Sequence, residues 1–461
     1  MKAHIISRPA IRSMFAAVPA GLSARVLSGG APGKKAGGHG GRRRPQVLTA
    51  VIAGALLLAA AACGSSSAGA VAGGPGKGTI TLGELGPLTG PRADLGAAMV
   101  KGSNLALSII NADGGVLGHQ VKLDPQDTAS DPADAVPAAD KEIDVDHAAA
   151  IVGPLVQTAP AVLPLAAKAK IPMLMWGGGA AFDNETSPYF FRLAPSDTEQ
   201  ADAMMVYAHE KGWNKVALAI GNTTGDTSLI PPLTAAASKL GMTIQRTVTI
   251  AVGSTSFRSE INNLFSGHPQ AIVGQFDIPS AGVLFGELKQ ENLLSTPWVV
   301  SNLWFDKEFV TSVGASVASG PIYIANPGTE NGGYNAFLTL LKQKLGQGQP
   351  TNGETYMYDA VNVWALGAQE AGTYAYPKLE QGIMKVSDGP GTACTTYAKC
   401  LSLLKAGKAI KYTGAASSVT FDSHHNVYGP FDILHYTPAG TTAATIGTLS
   451  PQQITGDLGA K

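Results

Sequence analysis

From Thr79 onward the chain repeats one rhythm. Residues 79–85 (TITLGEL) alternate apolar and polar side chains as a strand does, and residues 86–96 (GPLTGPRADLG) turn the chain. Ala97 to Asn111 then sets Met99, Val100, Ala106, Ile109 and Ile110 at helical spacing until Asp113-Gly114-Gly115 stops it. Further apolar strands are predicted at 149–153, 173–176, 216–220 and 271–275, with a helix starting near Ala159. Short β-rich runs alternating with helical patterns predict parallel βαβ units. Two such series, 79–195 and 196–325, precede a helical stretch at 353–372 and a hairpin-like end at 419–436. The pattern therefore predicts an α/β protein of two lobes.

Open parallel sheets take ligands beyond the carboxyl ends of their strands. The candidate binding segments are accordingly the turns at 86–96, 153–160 (GPLVQTAP), 176–182 (WGGGAAF), 221–228 (GNTTGDTS), 275–282 (QFDIPSAG) and 301–306 (SNLWFD). They are rich in glycine, hydroxyl and aromatic residues and poor in His and Cys. Gly177-Gly178-Gly179 lacks dinucleotide spacing and reads as a close backbone approach to a ligand. Trp176 and Trp304 are candidate stacking walls, Thr224 a candidate hydroxyl, and Arg92 the one cation in these turns.

The start of the chain differs from the rest. Val47 to Ala62 is an uncharged run of 16 residues behind Arg42-Arg43-Arg44, which predicts a signal peptide over residues 1–62. Residues 1–41 show no hydrophobic period, and a start downstream of Met1 would omit them. The run is shorter than the roughly 20 residues needed to span a hydrocarbon core. Residues 63–78 (CGSSSAGAVAGGPGKG) form a flexible tether. Residues 1–62 hold nine basic residues and no acidic one, leaving 24 basic against 33 acidic in the remainder, a net charge of −9. That balance argues against a nucleic-acid partner for the body.

Catalytic and metal motifs are missing: there is no phosphate loop, zinc-protease helix, paired CxxC or nucleophile elbow. Ser402 and Lys405 match S-x-x-K on two residues only, and His424-His425 fits a turn between strands. Cys394 and Cys400 are expected to form a local disulfide pinning a small surface loop, with two free thiols as the alternative.

Two resemblances extend this reading. Ala60-Ala61-Ala62-Cys63 resembles a bacterial lipobox, with Ala60 where Leu is usual, which implies that Cys63 is diacylated and anchors the protein to the membrane. Residues 79 to about 436 resemble the substrate-binding proteins of branched-chain-amino-acid-type ABC transporters. The matching phrases are GELGPLTGPRADLG, SIINADGGVLGHQVKL, DTASDPADAVPAADK, AAIVGPLVQT, KIPML, YFFRLAPSDTEQADAM, YMYDAVNVWALGAQEAG and YTGAASSVTFDSHHNVYGPFDILHY.

The resemblance implies a type I periplasmic-binding-protein fold of two Rossmann-like lobes joined by three crossovers, near Pro195, Ala325 and Ser418. Lobe 1 would comprise 79–195 and 326–418, lobe 2 196–325 and 419–461. Gln157, Thr158 and the backbone amides of Gly178 and Gly179 would hold a ligand carboxylate. Phe276 would stand where relatives often have an aromatic. The family's acid for an α-ammonium should fall near Asn302 or Leu303, where none is present, and Asp277 is the nearest substitute. The implied function is a monomeric, cofactor-free, non-enzymatic receptor, without a metal. It would pass a small polar solute, an amino acid or related compound, to an ABC permease with separate ATPase subunits. A sensor lipoprotein of the same fold is the alternative.

Overall fold

A computed structural model describes residues 78–328, 332–351, 353–440 and 442–458, all within one compact unit. The predicted leader, Cys63 and all of the tether except Gly78 lie outside the described residues. β1 (Ile80–Gly86) is buried along its whole length, as a strand in the middle of a helix-covered parallel sheet must be. It lies between β2 (Val121–Asp127) and β3 (Ile151–Val152). The sheet continues through β4 (Met173–Met175) and β5 (Phe190–Arg192), all parallel, in the order β2-β1-β3-β4-β5. Alternation along a strand sends Met173 and Met175 into one core and Leu174 into another on the opposite face.

The second sheet repeats the scheme with β6 (Lys215–Gly221), β7 (Thr243–Ile250), β8 (Ala271–Gln275), β9 (Trp298–Ser301) and β10 (Ile322–Pro327). Two small pairs belong elsewhere: β11 (Thr392–Cys394) with β12 (Ile410–Tyr412), and β13 (Thr420–Phe421) with β14 (Val427–Tyr428). β15 (Phe431–Tyr436) and β16 (Ala443–Leu449) then close the second sheet with antiparallel pairing, in the order β16-β15-β10-β9-β8-β6-β7. The predicted strand at 149–153 shrinks to the two residues of β3. The first long helix spans Ala93–Ala112 and so begins four residues before its predicted start.

The chain passes between the two lobes three times. It first leaves the core of the first sheet after Leu193 and Ala194, and enters that of the second with Ala201 on the helix Asp197–Glu210. The second passage follows Pro327, two residues beyond the expected Ala325, because β10 keeps pairing with β15 as far as Pro327. The third lies at Gly429-Pro430, not at Ser418. Val419, Phe421 and Val427 pack into the first core while Phe431 enters the second, so the predicted hairpin at 419–436 is divided between lobes.

Cys394 and Cys400 are joined by a disulfide, and both are buried in the first core, not in a surface loop. Ser402 and Lys405 are exposed on the helix Tyr397–Lys405, where the serine hydroxyl donates to the Lys399 carbonyl at 2.8 Å, an ordinary helix contact. His425 stacks on Phe191 at 4.5 Å between ring centres, and His424 Nδ1 contacts the Glu185 carbonyl at 2.9 Å. Among the described residues there is no cluster of three metal-ligating side chains, and no helix is long and apolar enough to cross a membrane.

Candidate functional site

The carboxyl ends of both sheets open onto one cavity of about 160 Å³. From the first lobe come Arg92 after β1, Leu155 to Gln157 after β3, and Trp176 to Gly178 after β4. From the second come Gly225 after β6, Gln275 at the end of β8, and Asn302 and Leu303 after β9. The first passage adds Asp197 and Gln200, and the start of the helix Glu354–Ala371 adds Tyr356.

Tyr356 organises the apolar wall. Its ring stacks on Trp176 with centres 5.2 Å apart and planes 20° apart, and its hydroxyl accepts a hydrogen bond from Asn302 Nδ2 at 3.2 Å. That bond joins the two lobes. Gly353 makes the stack possible: its φ of +101° favours glycine, and a Cβ there would stand 2.9 Å from the Trp176 ring.

Asp197 supplies the carboxylate. It is the first residue of the helix Asp197–Glu210, behind a Ser196–Glu199 capping box, where the helix dipole favours negative charge. Its backbone N–H donates to the Gly178 carbonyl at 2.6 Å, and Oδ2 accepts from the Ser228 hydroxyl. Burial pushes the Asp197 carboxyl up to about 6; the Ser228 hydrogen bond and the Arg192 charge oppose the shift, while Asp183 and Asp226 add to it. Behind the cavity, Asp226 accepts from Thr223 Oγ1 at 2.6 Å and from Gln275 Nε2 at 3.0 Å. Burial raises the Asp226 carboxyl as well, and the Arg92 guanidinium of the first lobe partly counteracts this.

Of the residues singled out in the sequence, Gln157, Trp176, Gly178 and Asn302 line the cavity together, with Arg92 and Leu303. Thr158 does not: it is buried, and its hydroxyl donates to the Leu155 carbonyl at 3.3 Å. Gly179 sits behind the loop, close against Val156. Gly178 approaches Asp197 as well as the cavity, since a Cβ on it would lie 2.1 Å from Asp197 Oδ1. Thr224 is exposed beside the lining Gly225.

Phe276 and Trp304 are not walls. Both are core residues of the second lobe, packed edge to face at 4.9 Å, with Trp304 Nε1 donating to the Phe276 carbonyl at 2.9 Å. Asp277 caps the helix Ile278–Gln290 through Oδ2, which accepts from Ser280 N at 3.0 Å, while its Oδ1 is buried without a hydrogen-bond partner, and the residue does not line the cavity. Sequence reasoning missed Asp197, Gln200, Gln275 and Tyr356. The signal for the first two was the passage segment itself, because a chain segment that crosses between lobes borders the cleft they enclose.

Two lobes on largely parallel sheets, three connections and a polar cavity between their carboxyl ends form the kind of cleft in which small solutes bind. The chain matches the periplasmic binding protein family over residues 79–431 and belongs to that family, with a type I periplasmic-binding-protein fold. This is a family of extracytoplasmic solute-binding proteins, not of enzymes.

An amino acid binding protein of Pseudomonas aeruginosa is 25% identical over 248 residues, which is 53% of this chain and 65% of that protein. This chain therefore covers just under two thirds of that relative. Leu/Ile/Val-binding protein homolog 3 of Brucella melitensis is 27% identical over 300 residues, 64% of this chain and 80% of that one. Among solved structures, the branched-chain amino acid transporter protein LivJ from Streptococcus pneumoniae, in complex with isoleucine, superposes with a TM-score of 0.65 at 21% identity. The match covers 81% of this chain and 99% of that one.

Proposed function

We propose that the chain is the solute receptor of an ABC importer, anchored to the cell membrane through a lipid on Cys63, and that its solute is a small zwitterion of amino-acid type. Asp197 carries this reading: a carboxylate in a cavity that also holds the Gln157 amide and, at its rim, the Arg92 guanidinium. An ammonium is served by Asp197. A carboxylate is served by Gln157, the backbone of the Gly177-Gly178 loop and Arg92, as charge-assisted hydrogen bonds in a confined site allow. The solute's apolar part rests against Trp176 and Tyr356. The acid that relatives carry near Asn302 or Leu303 is thereby replaced from the first passage. A cavity of about 160 Å³ suits one small solute, since drug-sized ligands occupy roughly 300–1,000 Å³. A ligand touching both lobes favours their closed arrangement by its differential affinity.

The test is a thermal-shift comparison of L-leucine, L-glutamate, 4-methylpentanoate and benzoate on the purified protein. Stabilisation by at least one zwitterion is expected, reaching about 2.7 kcal/mol at 100 times the dissociation constant. Stabilisation only by the acids that lack an ammonium would sink the zwitterion reading. For the anchor, radiolabelled palmitate is expected on the wild-type protein and absent from Cys63→Ala. For delivery, uptake of the stabilising solute is expected to stop in cells lacking the protein.

A further inference from the structure

Asp183 lies outside the cavity, yet the two segments that line the cavity beside it, the Gly178 loop and the first passage, are both tied to it. Its Oδ1 accepts from Arg192 Nη2 at 2.8 Å and from Ser196 Oγ at 2.6 Å, and its Oδ2 accepts from Thr198 Oγ1 at 2.8 Å. Arg192 is 1% exposed and donates through Nη1 to the carbonyls of Gly178 at 3.2 Å and Gly179 at 3.0 Å. The Gly178 carbonyl also receives the Asp197 N–H at 2.6 Å. From the β13–β14 hairpin, Asn426 Nδ2 donates to the Asp183 carbonyl at 3.1 Å, and the His425 carbonyl accepts from Arg192 N at 2.9 Å. A buried guanidinium tolerates little displacement of its carboxylate partner, because a buried charge left unpaired is costly. The Asp183 carboxylate thus ties the first passage directly, and the binding loop through Arg192, to one side chain, while the hairpin holds the backbone of Asp183 and Arg192 from behind.

We propose that Asp183 is a positioning residue for solute capture: together with Arg192 it fixes the Gly178 loop against the N-terminus of the helix Asp197–Glu210, and so sets the place of the Asp197 carboxylate. This rests on the reading of Asp197 as the ammonium partner.

Calorimetry with L-leucine and with 4-methylpentanoate, the same skeleton without the ammonium, tests it in Asp183→Asn and Thr198→Val. Both variants are expected to bind leucine at least tenfold more weakly and to weaken 4-methylpentanoate by a clearly smaller factor, because both probes use the Gly178 loop but only leucine also uses Asp197. Equal loss for both probes, or no loss for leucine, overturns the proposal. Thr198→Val keeps the Arg192 pair and the Ser196 cap, and it serves alone if Asp183→Asn does not fold. If wild type takes up too little of either probe to compare, hydrogen exchange of the ligand-free protein decides independently of the zwitterion reading. Exchange over 177–183 and 197–200 is expected to rise together in Thr198→Val, with the rest unchanged. A rise in one segment alone, or in neither, overturns the proposal.

Discussion

At the scale of single residues, the cavity depends on a few side chains whose neighbours decide their roles. Asp197→Asn is expected to weaken zwitterion binding by about 10- to 100-fold, the usual worth of a hydrogen bond to a charged group, with the melting temperature little changed. Calorimetry checks this. Because the Asp197 carboxyl titrates near 6 and only its ionised form pairs with an ammonium, affinity should fall about tenfold between pH 7 and pH 5. Affinity of Asp197→Asn should not follow that fall. Gly178→Val is expected to destabilise even the ligand-free protein by about 1–3 kcal/mol, since the new side chain meets Asp197 before it meets any solute. A wild-type melting temperature in that variant would contradict the contact. Gln157, Trp176, Gly178 and Asn302 were legible because each lies in the turn that follows a strand. Phe276 and Trp304 follow strands too, but a pattern of residue types does not say whether an aromatic beyond a strand turns outward to the cleft or back over the sheet.

At the scale of elements, the strand–helix alternation was plain in the sequence because several of the buried parallel strands, such as β4, β6 and β8, are short apolar runs. The far ends were harder to read. β13 and β14 are two residues each, too short to carry a period, and only the side of the molecule on which Val427 and Phe431 pack reveals that the chain changes lobe between them. Tyr356 was hidden for a related reason: it lies in the first turn of a helix that is buried along most of its length, so its place on the cavity wall does not distinguish it from its buried neighbours. The Cys394–Cys400 bridge closes a short loop inside the first core. Chain-entropy arguments give it about 2 kcal/mol. Denaturant midpoints of the oxidised and reduced protein should differ accordingly, with no change in solute affinity, since neither cysteine approaches the cavity.

At the scale of the whole molecule, two carboxyls buried in the first lobe away from the cavity carry a charge-state cost. Burial pushes the Glu84 carboxyl on β1 up to about 8, with a nearby Ser103 offsetting part of the shift, and burial also raises Glu142 well above its usual range. A folded-state value above the unfolded one means that the native protein binds more protons. Stability is then greatest at or below about pH 4.5, as far as these groups determine it, and declines as pH rises toward 8. Glu84→Gln should flatten that decline, by on the order of 1 kcal/mol per pH unit, in denaturation midpoints taken at pH 5 and pH 8. An unchanged slope would mean that Glu84 is not the source. The arrangement of the strands has a different consequence. Ile80 enters on an interior strand of the first sheet, between β2 and β3, whereas Ile454 and Leu458 of the last helix pack on the second. The two extremities of the folded body ride on different lobes. A donor dye placed before β1 and an acceptor after the last helix would act as a ruler, reporting each opening and closing without any label in the cleft.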